Sequence, residues 1–231
     1  MKDNPVIIIT GTRKGIGKGL AEYYLSQGCI VIGCSRRDSD IDNINYSHYC
    51  LDIANEEAVV DMFSDLRNSF DRIDALINNA GVASMNHSFL IPGYTVKNIL
   101  ETNVIGTFFC SREAAKMMSK NKYGRIINLV SFAVPFKLEG ESIYAASKAA
   151  VITLTDILSR EYAVYGITVN AISPPAMKTD LTKNVSEEKM DNLLKKQAIH
   201  RYGEIKEIAS VIDFLFVNPM ITGETIYMGG I

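Results

Sequence analysis

Short runs of β-branched and apolar residues punctuate the chain, and stretches of helical periodicity fill most of the gaps between them. The runs are Val6–Thr10, Cys29–Cys34, Tyr49–Ile53, one that starts at Ile73, Gly124–Ser131, Gly166–Ser173 and Glu224–Met228. The helical stretches are Gly17–Ser26, Glu56–Phe70, Tyr94–Ser119, Tyr144–Tyr165 and Glu204–Phe216. A strand that is apolar along its length, rather than at every second residue, has both faces covered. A parallel sheet flanked by helices supplies that cover. The pattern therefore predicts a doubly wound α/β fold, a seven-stranded parallel sheet with helices on both faces, in a single domain over residues 1–231. Two stretches fall outside this alternation, Gly81–Gly93 and Pro174–Lys196. Both follow strands at the carboxyl edge, where open sheets bind ligands, and are expected to be walls or lids of a pocket.

Bulk properties narrow the class of partner. Of 231 residues, 47% are hydrophobic, enough for a full core, and the net charge of −2 offers no basic surface for nucleic acid or an anionic membrane. No apolar run approaches the roughly 18 residues of a membrane span. Cys29, Cys34, Cys50 and Cys110 form no C-x-x-C pair, which suggests buried thiols in a reducing compartment rather than metal ligands or disulfides. The N-terminus enters its first strand without a signal-peptide pattern, so a cytoplasmic location is expected.

The segment TGTRKGIG, Thr10 to Gly17, ends the first strand and opens the first helix. Glycines permit the tight turn there, and the free N–H groups of a helix start favour an anion. The spacing is not the G-x-G-x-x-G of the common dinucleotide fingerprint. The second strand ends in GCSRRDSD. Ser35 stands where an acid would take the ribose hydroxyls of NAD, and Arg36 and Arg37 follow it. A hydroxyl with guanidinium groups suits the 2′-phosphate of NADP, which a carboxylate would repel. Lys14 approaches the same corner from the glycine loop, whereas Asp38 and Asp40 read as solvated loop residues.

In YAASK, Tyr144 and Lys148 lie one helical turn apart on one face. A free phenol titrates near 10, and a neighbouring cation lowers it by stabilising the phenolate, at about 1.4 kcal/mol per unit. Ser131 ends the fifth strand, where it can hydrogen-bond the same substrate oxygen.

Together these segments resemble the short-chain dehydrogenase/reductase family in its short, single-domain, Rossmann-like branch. TGTRKGIG matches that branch's T-G-x-x-x-G-x-G loop, NNAG (Asn78–Gly81) the motif after the fourth strand, and Asn103 the helix asparagine. Ser131, Tyr144 and Lys148 match the catalytic serine and the Y-x-x-x-K pair, and the resemblance extends over nearly the whole chain. It implies hydride transfer between NADP(H) and a carbonyl or alcohol carbon. Tyr144 would be the proton donor, Lys148 would hold the nicotinamide ribose, Ser131 would polarise the substrate oxygen, and Asn103 would fix a water leading to Lys148. It also implies a cofactor groove formed by Gly11, Arg13, Lys14, Gly15, Ile16, Gly17, Ser35, Arg36, Arg37, Asp52, Ile53, Asn79, Ala80, Gly81, Tyr144, Lys148, Pro174, Met177 and Thr179. No metal is implied. A homodimer or homotetramer is, formed through the helices carrying Asn103 and Tyr144 and through the C-terminal strand.

Within that family the overall look is closest to the 3-oxoacyl-[acyl-carrier-protein] reductases. Of the two basic positions those enzymes present to the carrier, Lys122 matches one and Tyr165 replaces the other. The substrate is therefore expected to be an acyl thioester or a small ketone, sugar or polyol. A cofactor-binding regulator without catalysis is the reading from another class, and it should have lost one of Asn103, Ser131, Tyr144 and Lys148. Three departures from the family pattern stand out: Pro174-Pro175 in place of Pro-Gly, Met228 before Gly229-Gly230, and the bulky FAVPFKLEGES (Phe132–Ser142), whose Phe132, Val134, Pro135, Phe136 and Leu138 either line the substrate pocket or pack under the loop.

Overall fold

The computed structural model describes residues 4–178 and 187–230. Its strands are β1 (Val6–Thr10), β2 (Ile30–Ser35), β3 (Tyr46–Cys50), β4 (Ala75–Asn78), β5 (Gly124–Leu129), β6 (Ile167–Ser173) and β7 (Thr225–Tyr227). They form one all-parallel sheet in the order β3-β2-β1-β4-β5-β6-β7. The order reverses direction between β1 and β4, and a ligand crevice opens at such a switch point.

Alternation along each strand divides the core into two layers. Val6 and Ile8 of β1 face one layer, and Ile7 and Ile9 face the other. The first layer packs under α2 (Glu56–Ser69), α4 (Thr107–Met118) and α6 (Ser142–Ala163), the second under α1 (Gly15–Ser26) and α8 (Ile205–Val217). Local signals agree with these elements. The Asn55 side chain caps α2 by accepting from the Ala58 N–H at 3.2 Å, and Glu204 and Glu207 form a capping box on α8. A buried chain of amides and hydroxyls crosses the carboxyl end of the sheet. Asn78 Nδ2 donates to Ser111 Oγ (2.9 Å) and Asn128 Oδ1 (2.8 Å), and Asn128 Nδ2 donates to Thr155 Oγ1 (2.8 Å). It ties β4 and β5 to α4 and to α6, the helix that carries Tyr144 and Lys148.

Three expectations need correction. β3 covers Tyr46–Cys50 rather than Tyr49–Ile53; it is an edge strand whose residues are half-buried or exposed, so its apolar signal is weak. The helix expected over Tyr94–Ser119 is three pieces: α3 (Gly93–Leu100), a π-helical turn at Glu101–Gly106, and α4. Apolar periodicity does not register one extra residue in a turn. Of the four thiols, Cys29, Cys34 and Cys110 are buried, but Cys50 is exposed and donates to Asp38 Oδ1 at 3.0 Å. Within Pro174–Lys196, the described part includes α7 (Glu187–Lys196). No helix among the described residues is long and apolar enough to cross a membrane.

Candidate active site

The glycine loop is tied to β4. Thr10 Oγ1 accepts from the N–H groups of Asn79 and Ala80, each at 3.0 Å. Asn79 Nδ2 donates back to the carbonyls of Thr10 (2.8 Å) and Gly11 (3.2 Å). Gly11 has φ of 78°, and a Cβ on it would lie 2.8 Å from Asn79 Nδ2, so only glycine fits. The N-cap of α1 is Lys14, whose side chain makes no capping bond, and no acid sits in the first turn. The N–H groups that an anion takes at a helix start are thus not taken by the cap residue or by an acid of the first turn.

From this loop a cleft of about 780 Å³ runs over the carboxyl ends of the strands. At one end are Arg13, Lys14, Ser35, Arg36 and Arg37; Gly11, Gly15, Ile16, Asp52, Ile53, Asn79, Ala80 and Gly81 form the middle; Tyr144, Lys148 and Pro174 close the other end. All of these were expected from the sequence. Gly17 and Met177 were expected too but do not line the cleft. Gly17 is buried, and a Cβ there would collide with the Gly11 carbonyl and Asn79 Nδ2, so its part is close packing beneath the loop. Met177 is buried in the core layer under α1 and α8. Thr179 lies outside the described residues. The sequence reading missed Cys34, Leu51, Val82, Thr102, Leu129 and Val130. These are mostly apolar or small residues at strand and helix ends, and nothing in their chemistry announces them.

At the cationic end, the two nearby acids are engaged elsewhere. Asp40 pairs with Lys18 at 2.8 Å, and Asp38 accepts from Cys50. Both are exposed loop residues, as expected from the sequence, and Asp40 also feels the charge of Arg13. Ser35 Oγ donates to the Arg37 carbonyl at 2.6 Å, while both guanidinium groups are exposed.

At the other end, α6 carries Tyr144 and Lys148 inward; both are buried, as is Ser131, two residues beyond β5 and behind the residues that line the cleft. Lys148 Nζ donates to the Leu129 carbonyl at 2.7 Å. Burial lowers its ammonium to about 8. The expectation that a cation lowers the Tyr144 phenol is not met in this geometry. Burial pushes it up to about 12, the Ser131 hydroxyl hydrogen-bonded to it opposes, and the charge of Glu141 adds to the rise. Dehydration of a neutral phenol's site costs the phenolate more than one hydrogen bond returns. Asn103, fully buried in the π turn, is close behind: a Cβ on Gly81 would lie 3.3 Å from Asn103 Oδ1 and 3.5 Å from Lys148 Nζ. Its amide donates to the Val82 carbonyl and Ser147 Oγ (both 2.9 Å) and accepts from the Val82 N–H (2.8 Å). Both of its N–H donors are thus spent on the walls of the cleft, leaving only acceptor capacity for a water.

Two further residues were not anticipated. Glu141, 8% exposed at the N-cap of α6, makes no side-chain capping bond, and burial raises its carboxyl. Gln197, 1% exposed, accepts from the Ala176 N–H at 2.6 Å and donates to the Ile199 and Arg201 carbonyls, fixing the chain beyond Pro174-Pro175. His87 caps a short 3₁₀ turn (Ser88–Leu90). In the Phe132–Ser142 segment a short helix, α5 (Ala133–Phe136), buries Ala133 and leaves Phe132, Val134 and Phe136 half-buried, the two rings 5.9 Å apart. No group of three or more potential metal ligands occurs among the described residues.

Known proteins share this arrangement. Residues 5–190 match the short chain dehydrogenase family. A 3-oxoacyl-[acyl-carrier-protein] reductase, FabG of Vibrio cholerae, is 33% identical over 237 aligned positions, covering 99% of this chain and 97% of its own. Among solved structures, ElxO with NADP bound superposes with a TM-score of 0.89 at 30% identity, covering 97% of each chain. The 4-hydroxyisoleucine dehydrogenase complexed with NADH has a TM-score of 0.88 at 28% identity and 98% coverage of each. The chain belongs to the short-chain dehydrogenase family of oxidoreductases.

Proposed function

We propose that the protein is an NADPH-dependent reductase that converts a carbonyl to an alcohol, with Tyr144 as the proton donor. The observation that carries this reading is one continuous cleft, with Tyr144 and Lys148 at one end and a corner of Lys14, Ser35, Arg36 and Arg37 at the other. The residues fit a dinucleotide: a glycine cradle that a Cβ would fill, an uncapped helix start for the pyrophosphate, and guanidinium groups for a 2′-phosphate. Ser35 in place of an acid favours NADPH over NADH. The family's structures include both cofactors, NADP in ElxO and NADH in 4-hydroxyisoleucine dehydrogenase.

When bound, the reduced nicotinamide supplies the hydride. Tyr144, its phenol raised to about 12, holds its proton at neutral pH and can release it to the carbonyl oxygen as charge builds there. Ser131, hydrogen-bonded to Tyr144, is placed to donate to the same oxygen and stabilise that charge. Lys148, charged below about 8, offers its ammonium to the nicotinamide ribose and to the phenolate that Tyr144 becomes. Asn103 keeps the Val82 segment and Ser147 in place behind it.

For the substrate, the FabG similarity favours a 3-oxoacyl thioester. Tyr165 in place of a carrier-facing cation favours a small ketone or sugar instead. NADPH oxidation measured with an acetoacetyl thioester and with a panel of small ketones and sugars separates the two; cofactor binding with no turnover on any of them favours a non-catalytic regulator. Ile105, Phe108 and Ile157, exposed apolar residues on the π turn, α4 and α6, support a homo-oligomer.

A further inference from the structure

No residue of β3 lines the cleft, yet two of its side chains lie directly behind the cationic corner. Thr12 Oγ1 is 2.8 Å from the Tyr46 hydroxyl, which is 2.8 Å from His48 Nδ1. On the far side of the ring, His48 Nε2 is 3.1 Å from Ser35 Oγ and 3.1 Å from the Arg37 carbonyl. A carbonyl only accepts, so Nε2 carries the hydrogen and Nδ1 is the acceptor. Tyr46 then donates to Nδ1 and Thr12 donates to Tyr46, which satisfies the chain in a single direction. Gly33, which pairs with His48 in the sheet, leaves room for it: a Cβ there would collide with Thr12 Oγ1 and the Tyr46 hydroxyl.

The chain joins two segments that approach the cofactor separately. Thr12 belongs to the glycine loop and is fully buried, whereas Ser35 and Arg37 belong to the exit of β2. The Arg37 carbonyl is held twice, by Ser35 Oγ and His48 Nε2, while its guanidinium stays exposed. The turn's backbone is fixed and its charged ends are left to a ligand. We propose that the Thr12–Tyr46–His48 chain is the positioning element of 2′-phosphate selectivity, setting the spacing between the glycine loop and the Ser35–Arg37 turn. The proposal rests on the NADPH reading above. A ligand with a free 2′-hydroxyl makes little use of the guanidinium groups, so its binding does not depend on that spacing in the same way.

Calorimetric titration with adenosine 2′,5′-bisphosphate and with adenosine 5′-monophosphate tests this without the nicotinamide or any substrate. The wild type should prefer the bisphosphate. His48→Ala should weaken the bisphosphate by about tenfold, the scale of disturbing hydrogen bonds to a charged group, and leave the monophosphate within about twofold. His48→Gln, whose amide N–H can replace the Nε2 donor, should restore most of the preference, and Tyr46→Phe should lose part of it. Equal weakening of both ligands by His48→Ala, or of neither, overturns the proposal. Should His48→Ala not fold, unchanged selectivity in Tyr46→Phe overturns it as well. A wild type that binds both ligands equally defeats the NADPH reading together with the proposal, whereas a wild-type preference that survives His48→Ala defeats the proposal alone.

Discussion

If NADPH is the cofactor as proposed, Ser35→Asp should convert the cationic corner from one that accepts its 2′-phosphate to one that repels it. Ser35 lies on the cleft wall between the glycine loop and the Arg36–Arg37 turn. Its Oγ is 3.1 Å from His48 Nε2, which can share its N–H with a new carboxylate; the Ser35 hydrogen bond to the Arg37 carbonyl is lost, while His48 still holds that carbonyl. At a separation of about 6 Å and an effective dielectric of about 40, between surface and bulk values, each pair of unit charges repels by about 1.4 kcal/mol. A phosphate monoester carries about −1.5 to −2, which makes the penalty about 2–3 kcal/mol, or about 30- to 100-fold in NADPH affinity. NADH, with hydroxyls there, should bind as well as before or better. Nicotinamide fluorescence gives both dissociation constants, and added salt should shrink the NADPH penalty because the corner is exposed to solvent. If NADPH affinity does not change, or if both cofactors weaken equally, the 2′-phosphate does not sit at this corner and the electrostatic reasoning fails.

Three other perturbations test other parts of the site and fold. Tyr144→Phe should abolish carbonyl reduction while leaving NADPH affinity within about twofold, since binding rests on the glycine loop and the cationic corner; retained turnover in a steady-state assay removes Tyr144 from the proton-donor role. Glu141→Gln removes a charge that raises the Tyr144 phenol, so the phenol should titrate lower. A spectroscopic titration of the Tyr144 phenol, with Tyr144→Phe as the blank, should show its midpoint at lower pH than in the wild type; an unmoved or raised midpoint refutes the coupling. Glu113, 2% exposed, is the hub of a cluster with Lys116 Nζ at 2.7 Å, Arg112 Nε at 2.9 Å and Arg67 Nη1 at 3.7 Å. Burial alone would raise its carboxyl, but the hydrogen bonds from Lys116 and Arg112 prevail and it titrates below its ordinary value. Its contribution is therefore present above the unfolded carboxylate's pKa and is lost as pH falls through the folded one. Glu113→Ala should cost about 1–3 kcal/mol at neutral pH, below the full cost of breaking a buried pair because the cations remain partly hydrated. Denaturant melts should show the difference from wild type shrinking at acid pH, and a loss that is constant with pH would assign it to packing instead.

The sheet and most of the site could be read from residue type and order. Strands apolar on both faces need cover on both faces, so they imply helices and parallel pairing, and the glycine loop, Ser131, Tyr144 and Lys148 fall at strand and helix ends because that is where such folds open. The reading failed where tertiary contact overrides local pattern. β3 is displaced because its pairing with β2, Gly33 opposite His48, is set across the sheet rather than by its own apolar content. The π turn that holds Asn103 leaves no mark in the period of the apolar residues. His48 drew no notice because an isolated histidine on a weak strand has no motif; only the folded chain brings it between Thr12 and Ser35.

By itself, then, the sequence determined the class of fold, the place of the cleft, and the residue types available for phosphate binding and proton transfer, since these follow from periodicity and from side-chain chemistry. The tertiary structure alone decided how those groups are poised. Burial, not the nearby ammonium, controls the Tyr144 phenol, and the amide of Asn103 is committed to its walls. A polar chain from the edge strand holds the cationic corner in place. Dehydration and hydrogen-bond partnership arise only when segments distant in sequence are packed together, and no local pattern encodes them.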